Sequence, residues 1–444
     1  MHNITHPAIL VTPLRQGVSA AGGTLEALVR VQAPDQPAAT GAIAPRDPLR
    51  LALVIDRSGS MSGRPLAEAL RCAVYIASHL QRQDQVAVVL YDDVVQVPVP
   101  LTSAGDPDAI RLALAGVDSG GCTALYDGWL AGAQQLEGAV AGTHSRVLLL
   151  SDGQANRGLQ ELAEVAPQVA AWERRGITTT TVGLGNGFNE GLMVGMARAG
   201  RGQSYYGQAA EDLQASFDEE LALLQATCLK SLQLKLTAAE GVIVEAMGLG
   251  NRLPDGSIGL PDLAWGSEAW ILVRLHVAPV AHIPDPRVPR ALLAVGLQAV
   301  DMAGGRPVAA HGLLALPVLP ATDAQGLPAD ELVARRIKEV AFSDAAEKVR
   351  GLLHGGQPAE ARQLLHQLRQ QFHDQPWLAG KIEALLALIE RDVAMASKEA
   401  LYSSAKAAMR LAPRHERSFS AAEEDDLPLF LRRRTEEGTS GRQR

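Results

Sequence analysis

The chain has 444 residues, a formal net charge of −8, 47% hydrophobic and 20% charged residues, and 4% aromatics. Such a length exceeds one ordinary core and predicts two or three domains. The balance is that of a soluble globular protein, and the negative charge argues against nucleic acid as a partner of the whole chain.

Three cysteines, Cys72, Cys122 and Cys228, form neither a CxxC pair nor a zinc spacing, which suits a reducing compartment. The opening MHNITHPAILVTPLRQG lacks a basic segment followed by a long apolar run, so no signal peptide is expected. No run of about 18 apolar residues predicts a membrane span. The expected location is the cytoplasm.

Residues 8–33 give two short β-type runs, AILVTPL and TLEALVRVQA, followed by a Pro- and Ala-rich link. From Leu49 to about residue 226 strands and helices alternate. LALVID is a wholly apolar strand, and PLAEALRCAVYIASHLQ is a helix with Pro65 in its first turn. QVAVVLY and VVQVPVPL flank Asp92 and Asp93 as a hairpin, and Pro98 and Pro100 place its second strand at a sheet edge. Helices PDAIRLALAGV and ALYDGWLAGAQQLEGAV, strand RVLLLSDG, helix GLQELAEVAPQVAAWERRG, strand ITTTTVGLG, helix NEGLMVGMARAG, strand QSYYG and helix EDLQASFDEELALLQA follow. Apolar strands alternating with helices predict a mainly parallel sheet covered on both faces.

After Cys228 the pattern turns to β-runs broken by Gly, Pro and Asp. With the N-terminal runs they predict an antiparallel sandwich into which the α/β unit is inserted, or alternatively a separate small β domain. Residues 329–411 are helical, with one long helix over WLAGKIEALLALIERDVAMASKEALYSSAKAAMRLA. The piece GQPAEARQLLHQLRQQF resembles one helical-repeat unit, but no second copy follows at a fixed period. The tail, residues 412–444, reads as disordered, with LPLFL as a candidate docking peptide. The expected organisation is therefore N-terminal sandwich strands over 1–48, an α/β unit over 49–226, the remaining sandwich strands over 227–320, then the helical region and tail.

In an open α/β sheet, binding groups gather beyond the carboxyl ends of the strands. Three loops fall there. One holds Asp56, Ser58 and Ser60, spaced D-x-S-x-S; the second is SGGCTALYDG with Thr123; the third is LLLSDGQANRG with Asp152. All the donors are oxygens, which suits a hard cation such as Mg2+. Ser58, Ser60 and Thr123 offer neutral hydroxyls directly, while Asp56 and Asp152 supply charge directly or through water. Hydroxyl donors leave most of the ion's charge unneutralised, so a vacant position would attract an anionic oxygen from outside. The competing reading is helix capping, since all three loops precede helices.

The stretches DRSGSMSG, GGCTALYDG, LLLSDGQANRG and TVGLGNGFNEGLMVGMARAGRGQSYY, in that order, resemble a von Willebrand factor type A domain of bacterial type over about residues 49–226. The resemblance implies a doubly wound sheet with one antiparallel edge strand and a metal-ion-dependent adhesion site. Ser58, Ser60 and Thr123 would be its direct ligands, and Asp56 and Asp152 carboxylates acting directly or through water. Mg2+ is the expected ion, with Mn2+ or Ca2+ as alternatives. The flanking β-runs and helices are similar to bacterial proteins that carry this domain inside a sandwich. Bacterial relatives without a signal often work beside ATPases, or beside kinase and phosphatase pairs, as adaptors, a role that the resemblance permits here.

Around these loops, Asp127 is a candidate to orient the second loop, and Asn186 and Asn189 sit near the same rim as turn or cap residues. Gly120, Gly121 and Gly153 let the chain pass close to an ion. No His lies in the three loops to activate Cys122, and His276, His354 and His366 show no ligand spacing. The expected function is a non-enzymatic module whose metal captures an Asp or Glu of a partner protein. The alternatives are a metal-assisted hydrolase or phosphatase, and a metal-free scaffold.

Overall fold

The computed structural model describes residues 5–36, 48–138 and 143–413, apart from residues 186, 208, 211, 249, 250, 254, 283, 284, 286 and 410. Most of the Pro- and Ala-rich link, Asn186, and the tail from residue 414 with its LPLFL segment lie outside the described residues.

The first strands are β1 (Ala8–Pro13) and β2 (Gly23–Gln32). The α/β unit then runs β3 (Leu49–Asp56), α1 (Arg64–His79), β4 (Gln85–Tyr91), β5 (Val95–Ser103), α2 (Pro107–Ala113) and α3 (Leu125–Gln135). It continues with β6 (His144–Ser151), α4 (Leu162–Glu173), β7 (Ile177–Leu184), α5 (Glu190–Ala199), β8 (Arg201–Gly207) and α6 (Asp212–Ala226). These six strands form one sheet in the order β5-β4-β3-β6-β7-β8, parallel except for the antiparallel edge pair β4/β5. Pro98 and Pro100 do sit on the edge strand, where a missing N–H costs no ladder bond.

Alternation along β3 explains the two covered faces. Leu51, Leu53 and Ile55 join a core with α1 and α6 residues, while Ala52 and Val54 join a second core with Trp129 of α3 and Met193 of α5. Strand β7 is fully buried despite four consecutive threonines. Their hydroxyls are bonded: Thr178 accepts from Arg146 Nε at 2.8 Å and Thr179 from Trp129 Nε1 at 3.0 Å. Thr180 donates to Glu220 Oε1 at 2.8 Å and Thr181 to the Met193 carbonyl at 3.0 Å. Satisfied hydroxyls remove most of the cost of burying them.

Beyond the α/β unit come β9 (Thr227–Ala238), β10 (Val242–Met247), β11 (Ser267–Val277), β12 (Arg290–Asp301) and β13 (Arg306–Leu316). One sheet has the order β1-β2-β11-β10, and β9, β12 and β13 lie consecutively in the other. Val29 and Val31, Leu232 and Leu234, Val273 and Leu275, and Val295 and Leu297 share one core between them. The N-terminal strands thus belong to a sandwich completed more than two hundred residues later. Strands β9 and β10 follow one another in sequence but belong to different sheets, so the turn between them crosses the sandwich.

A buried charge cluster joins the two units. Arg146 of β6 donates to Glu220 at 2.7 Å and to Asp262 of the sandwich at 2.9 Å, and all three side chains are almost fully buried. His144 lies 3.6 Å from Asp262, and burial lowers its pKa.

Helices α7 (Glu331–His354), α8 (Pro358–Gln371), α9 (Pro376–Arg391) and α10 (Val393–Met409) pack around Phe342, Leu365, Ile382 and Ala400. The single long helix expected over 377–412 is two helices. Asp392 is extended (φ −155°, ψ 100°), and its carboxylate accepts from the Met395 N–H at 3.0 Å, capping α10. Val333 and Val340 pack on Leu28, Trp270 and Leu272 of the sandwich, whereas Leu401 and Tyr402 enter an α/β core. The bundle therefore touches both units. Among the described residues, no helix is long and apolar enough to cross a membrane.

Candidate metal centre

Strand β3 lies at the switch point of the sheet, with β4 on one side and β6 on the other. Crevices form where successive connections leave in opposite directions, and Asp56 ends β3 at that place. After Asp56 the chain makes a short turn, Gly59–Met61, pinned by the fully buried Met61. Of the two serines beside that anchor, Ser58 is buried and Ser60 is exposed. The second loop is clasped to the first by two backbone bonds, Gly120 N–H to the Arg57 carbonyl at 2.8 Å and Gly59 N–H to the Gly121 carbonyl at 3.3 Å.

The three loops meet. Ser58 Oγ and Ser60 Oγ are 3.2 Å apart, and Ser60 Oγ donates to Asp152 Oδ1 at 2.7 Å. A methyl group placed on Gly153 would lie 3.2 Å from both Ser60 Oγ and Thr123 Oγ1, and 3.7 Å from Ser58 Oγ. The three hydroxyls therefore surround one small space over the Gly153 backbone, with the Asp152 carboxylate at its side. Asp56 is fully buried behind it. Its Oδ1 accepts from the Ser58 N–H at 2.8 Å and its Oδ2 from Ser151 Oγ at 2.6 Å.

Electrostatically this is a place short of positive charge. Burial pushes the Asp56 carboxyl up to about 6, although the hydrogen bonds from Ser151 and Ser58 oppose it. Burial also raises Asp152, against the hydrogen bond from Ser60. Two desolvated carboxylates beside three hydroxyls form a donor set matched to a hard cation, which would offset their desolvation.

Helix capping does not account for these residues. Helix α1 is capped at Gly63, α3 at Ala124 and α4 at Glu161, and Ser58 makes no side-chain cap bond to its own turn. Of the other residues singled out, Asn189 is a cap, accepting from the Leu192 N–H at 3.0 Å. Asp127 is exposed, and its carboxylate lies beside Gly158. Cys122 is exposed, and its N–H donates to Asp93 Oδ1 at 3.1 Å.

Several further residues support the site without a motif of their own. Ser151 holds Asp56, and Asn156 Oδ1 accepts from the Thr123 N–H at 2.8 Å. Arg57 pairs with Asp92 at 2.9 Å, which ties the first loop to the turn after β4. Ser151 and Asn156 both stand within the LLLSDGQANRG stretch, so their nearness to Asp152 was the available signal. Among the described residues, no group of three or more His, Cys, Asp or Glu side chains is placed to hold a metal. A cation here would depend on hydroxyl donors.

A doubly wound sheet with one antiparallel edge and three oxygen-bearing loops at its switch point defines the class. Residues 51–219 match the von Willebrand factor type A domain, and the chain carries that domain. The chain is 27% identical over 203 residues to the uncharacterized protein YfbK of Escherichia coli (strain K12), a match covering 45% of this chain and 35% of that protein. A similar match to protein sll0103 of Synechocystis covers 38% of its length, so the chain spans little more than a third of these curated relatives. Among solved structures, a von Willebrand factor type A protein from Catenulispora acidiphila is similar with a TM-score of 0.71 at 17% identity, covering 92% of this chain and 98% of that one. The ArnB paralog VWA2 from Sulfolobus acidocaldarius is similar with a TM-score of 0.62 at 15% identity, covering 91% and 99%. The likeness of fold thus extends over the sandwich and the helices as well.

Proposed function

We propose that Asp56, Ser58, Ser60, Thr123 and Asp152 hold a divalent cation, Mg2+ in the first instance with Mn2+ or Ca2+ as alternatives, and that the site captures an Asp or Glu carboxylate of a partner protein. The observation that carries this is the convergence of three hydroxyls from two loops around the Gly153 backbone, with Asp152 bonded to one of them. Ser58, Ser60 and Thr123 would be the direct donors. Asp56, both of whose oxygens already accept protein hydrogen bonds, would supply charge from behind through a remaining lone pair or a water. A bound cation would supply a coordination position whose charge the neutral hydroxyls leave largely uncompensated.

On this reading the protein is a cytoplasmic, non-enzymatic adaptor, its metal face turned to one partner while the sandwich and bundle serve others. An ATPase or a kinase and phosphatase pair presenting an acidic residue would fit. The test has two stages. Isothermal titration with Mg2+ and Mn2+ should show one saturable site in the wild type and none in Asp152→Ala. A peptide array with one central Asp should then bind only with Mg2+ present, and its Asn counterparts should not. Peptide binding that survives chelation would refute the capture mechanism.

A further inference from the structure

The C-terminal bundle reaches the metal face through a buried lysine. Lys398 of α10 is 5% exposed, and its amine donates to the Phe188 carbonyl at 3.0 Å. The same amine lies 3.4 Å from Glu190 Oε2 and 4.2 Å from the Phe188 ring centre. Phe188 is fully buried, beside Tyr206 at 5.7 Å and Tyr402 of α10 at 6.2 Å between ring centres. Residue 188 is thus fixed by its ring in the core and by its carbonyl from the bundle.

The next residue back touches the metal loop. Gln154 Nε2 donates to the Gly187 carbonyl at 2.6 Å. A Cβ on Gly187 would come within 2.7 Å of the Asp152 carbonyl oxygen, so the two backbones ride on one another and only glycine fits. The path from Lys398 to Asp152 is therefore short: amine to Phe188 carbonyl, Gly187 backbone to Asp152 backbone. On the far side, Asn189 begins α5 and cannot take up slack, since its side chain caps that helix.

We propose that Lys398 is a positioning residue of the metal site, holding the 187–190 loop and through it the Asp152 loop, so that the bundle sets the site's affinity for a divalent cation. This rests on the function proposed above. An amine in this place has no water to fall back on; burial lowers its pKa, and Glu190 pulls it back toward the charged form. Removing it leaves a buried carbonyl without its donor and Glu190 without its partner, which frees the loop locally while most of the bundle's apolar packing stays.

The test uses the full chain with Lys398→Met, Lys398→Arg and Leu365→Ala, the last loosening the bundle core without removing a contact to the loop. Hydrogen exchange is followed first without metal. In Lys398→Met, amides of residues 152–156 and 187–190 should exchange at least about fivefold faster while α1 is unchanged, and Lys398→Arg should restore them to within about twofold. Leu365→Ala should lower the melting temperature without touching those amides. The Mn2+ dissociation constant should rise in parallel, about fivefold in Lys398→Met and not in Leu365→Ala. Unchanged exchange at 152–156 in Lys398→Met, or equal acceleration in Leu365→Ala, overturns the proposal. If Lys398→Met does not fold, Glu190→Gln is read by the same criteria. A wild type that binds no Mn2+ sinks the metal reading instead, and the metal-free exchange arm still decides whether Lys398 fixes the loop.

Discussion

Replacing Asp56 by asparagine removes a charge that the metal-free protein has to bury. The carboxyl is raised from its ordinary 3.8 to about 6, mainly by burial, a displacement worth about 3 kcal/mol against the folded, ionised state at neutral pH. Asparagine keeps the shape but offers one carbonyl oxygen where the aspartate accepts at both, from Ser58 N–H and from Ser151. Losing one of those bonds costs about 1–2 kcal/mol. The expected balance is that Asp56→Asn is about 1–2 kcal/mol more stable than wild type at pH 7.5 in chelator. The assay is urea denaturation in EDTA, repeated in saturating Mg2+, where only the wild type should gain. A second signature is the pH dependence. Between about 4 and about 6 the folded wild type holds a proton that the unfolded chain has lost, so its stability falls as pH rises through that window. The variant should lack this component. An Asp56→Asn protein less stable than wild type in chelator, or one that still responds to Mg2+, would refute the reasoning.

Three further outcomes follow from the same contacts. Thr123→Val deletes one of the converging hydroxyls at a nearly buried position, and calorimetric titration should find Mn2+ affinity lowered at least about tenfold with stability within about 1 kcal/mol. Arg146→Met takes the guanidinium away from the buried carboxylates of Glu220 and Asp262, so thermal unfolding should report a loss of about 3–5 kcal/mol, the largest of the set. Asp392→Ala removes the cap that starts α10 and should cost about 1 kcal/mol by denaturant titration, with Mn2+ binding retained.

Much of the three-loop crevice is legible in the residues alone because its logic is local. An apolar run, Leu51 to Ile55, that ends in a carboxylate and then serines tells where a buried strand meets a polar crevice. Pro98 and Pro100 mark an edge because proline cannot serve a central ladder. What the residues alone do not reveal depends on distant partners. Arg146 reads as an ordinary strand lead-in until Asp262 arrives from the sandwich. Asp392 is one polar residue in a helical run, and only its extended backbone reveals a boundary. The periodicity of β9 and β10 carries no information on which sheet each joins, so the crossing after Ala238 has no signal in the sequence. Lys398, 210 residues from the carbonyl it meets, has no local signature.

The pairing of β2 with β11 has a bearing on how the chain is made. Gln32 and Glu268, joined by a hydrogen bond of 2.8 Å, stand 236 residues apart. At ribosomal speeds of about 5–20 residues per second, the earliest strands wait on the order of 10–50 seconds for their neighbour. During that interval the α/β unit is synthesised whole, and its sheet draws every strand from residues 49–207. It can condense first and bring the two ends of the unfinished β-layer together, so that a late partner finds a prepared berth. Nascent chains halted before residue 267 should therefore carry a protease-resistant centre with a cleavable leading segment.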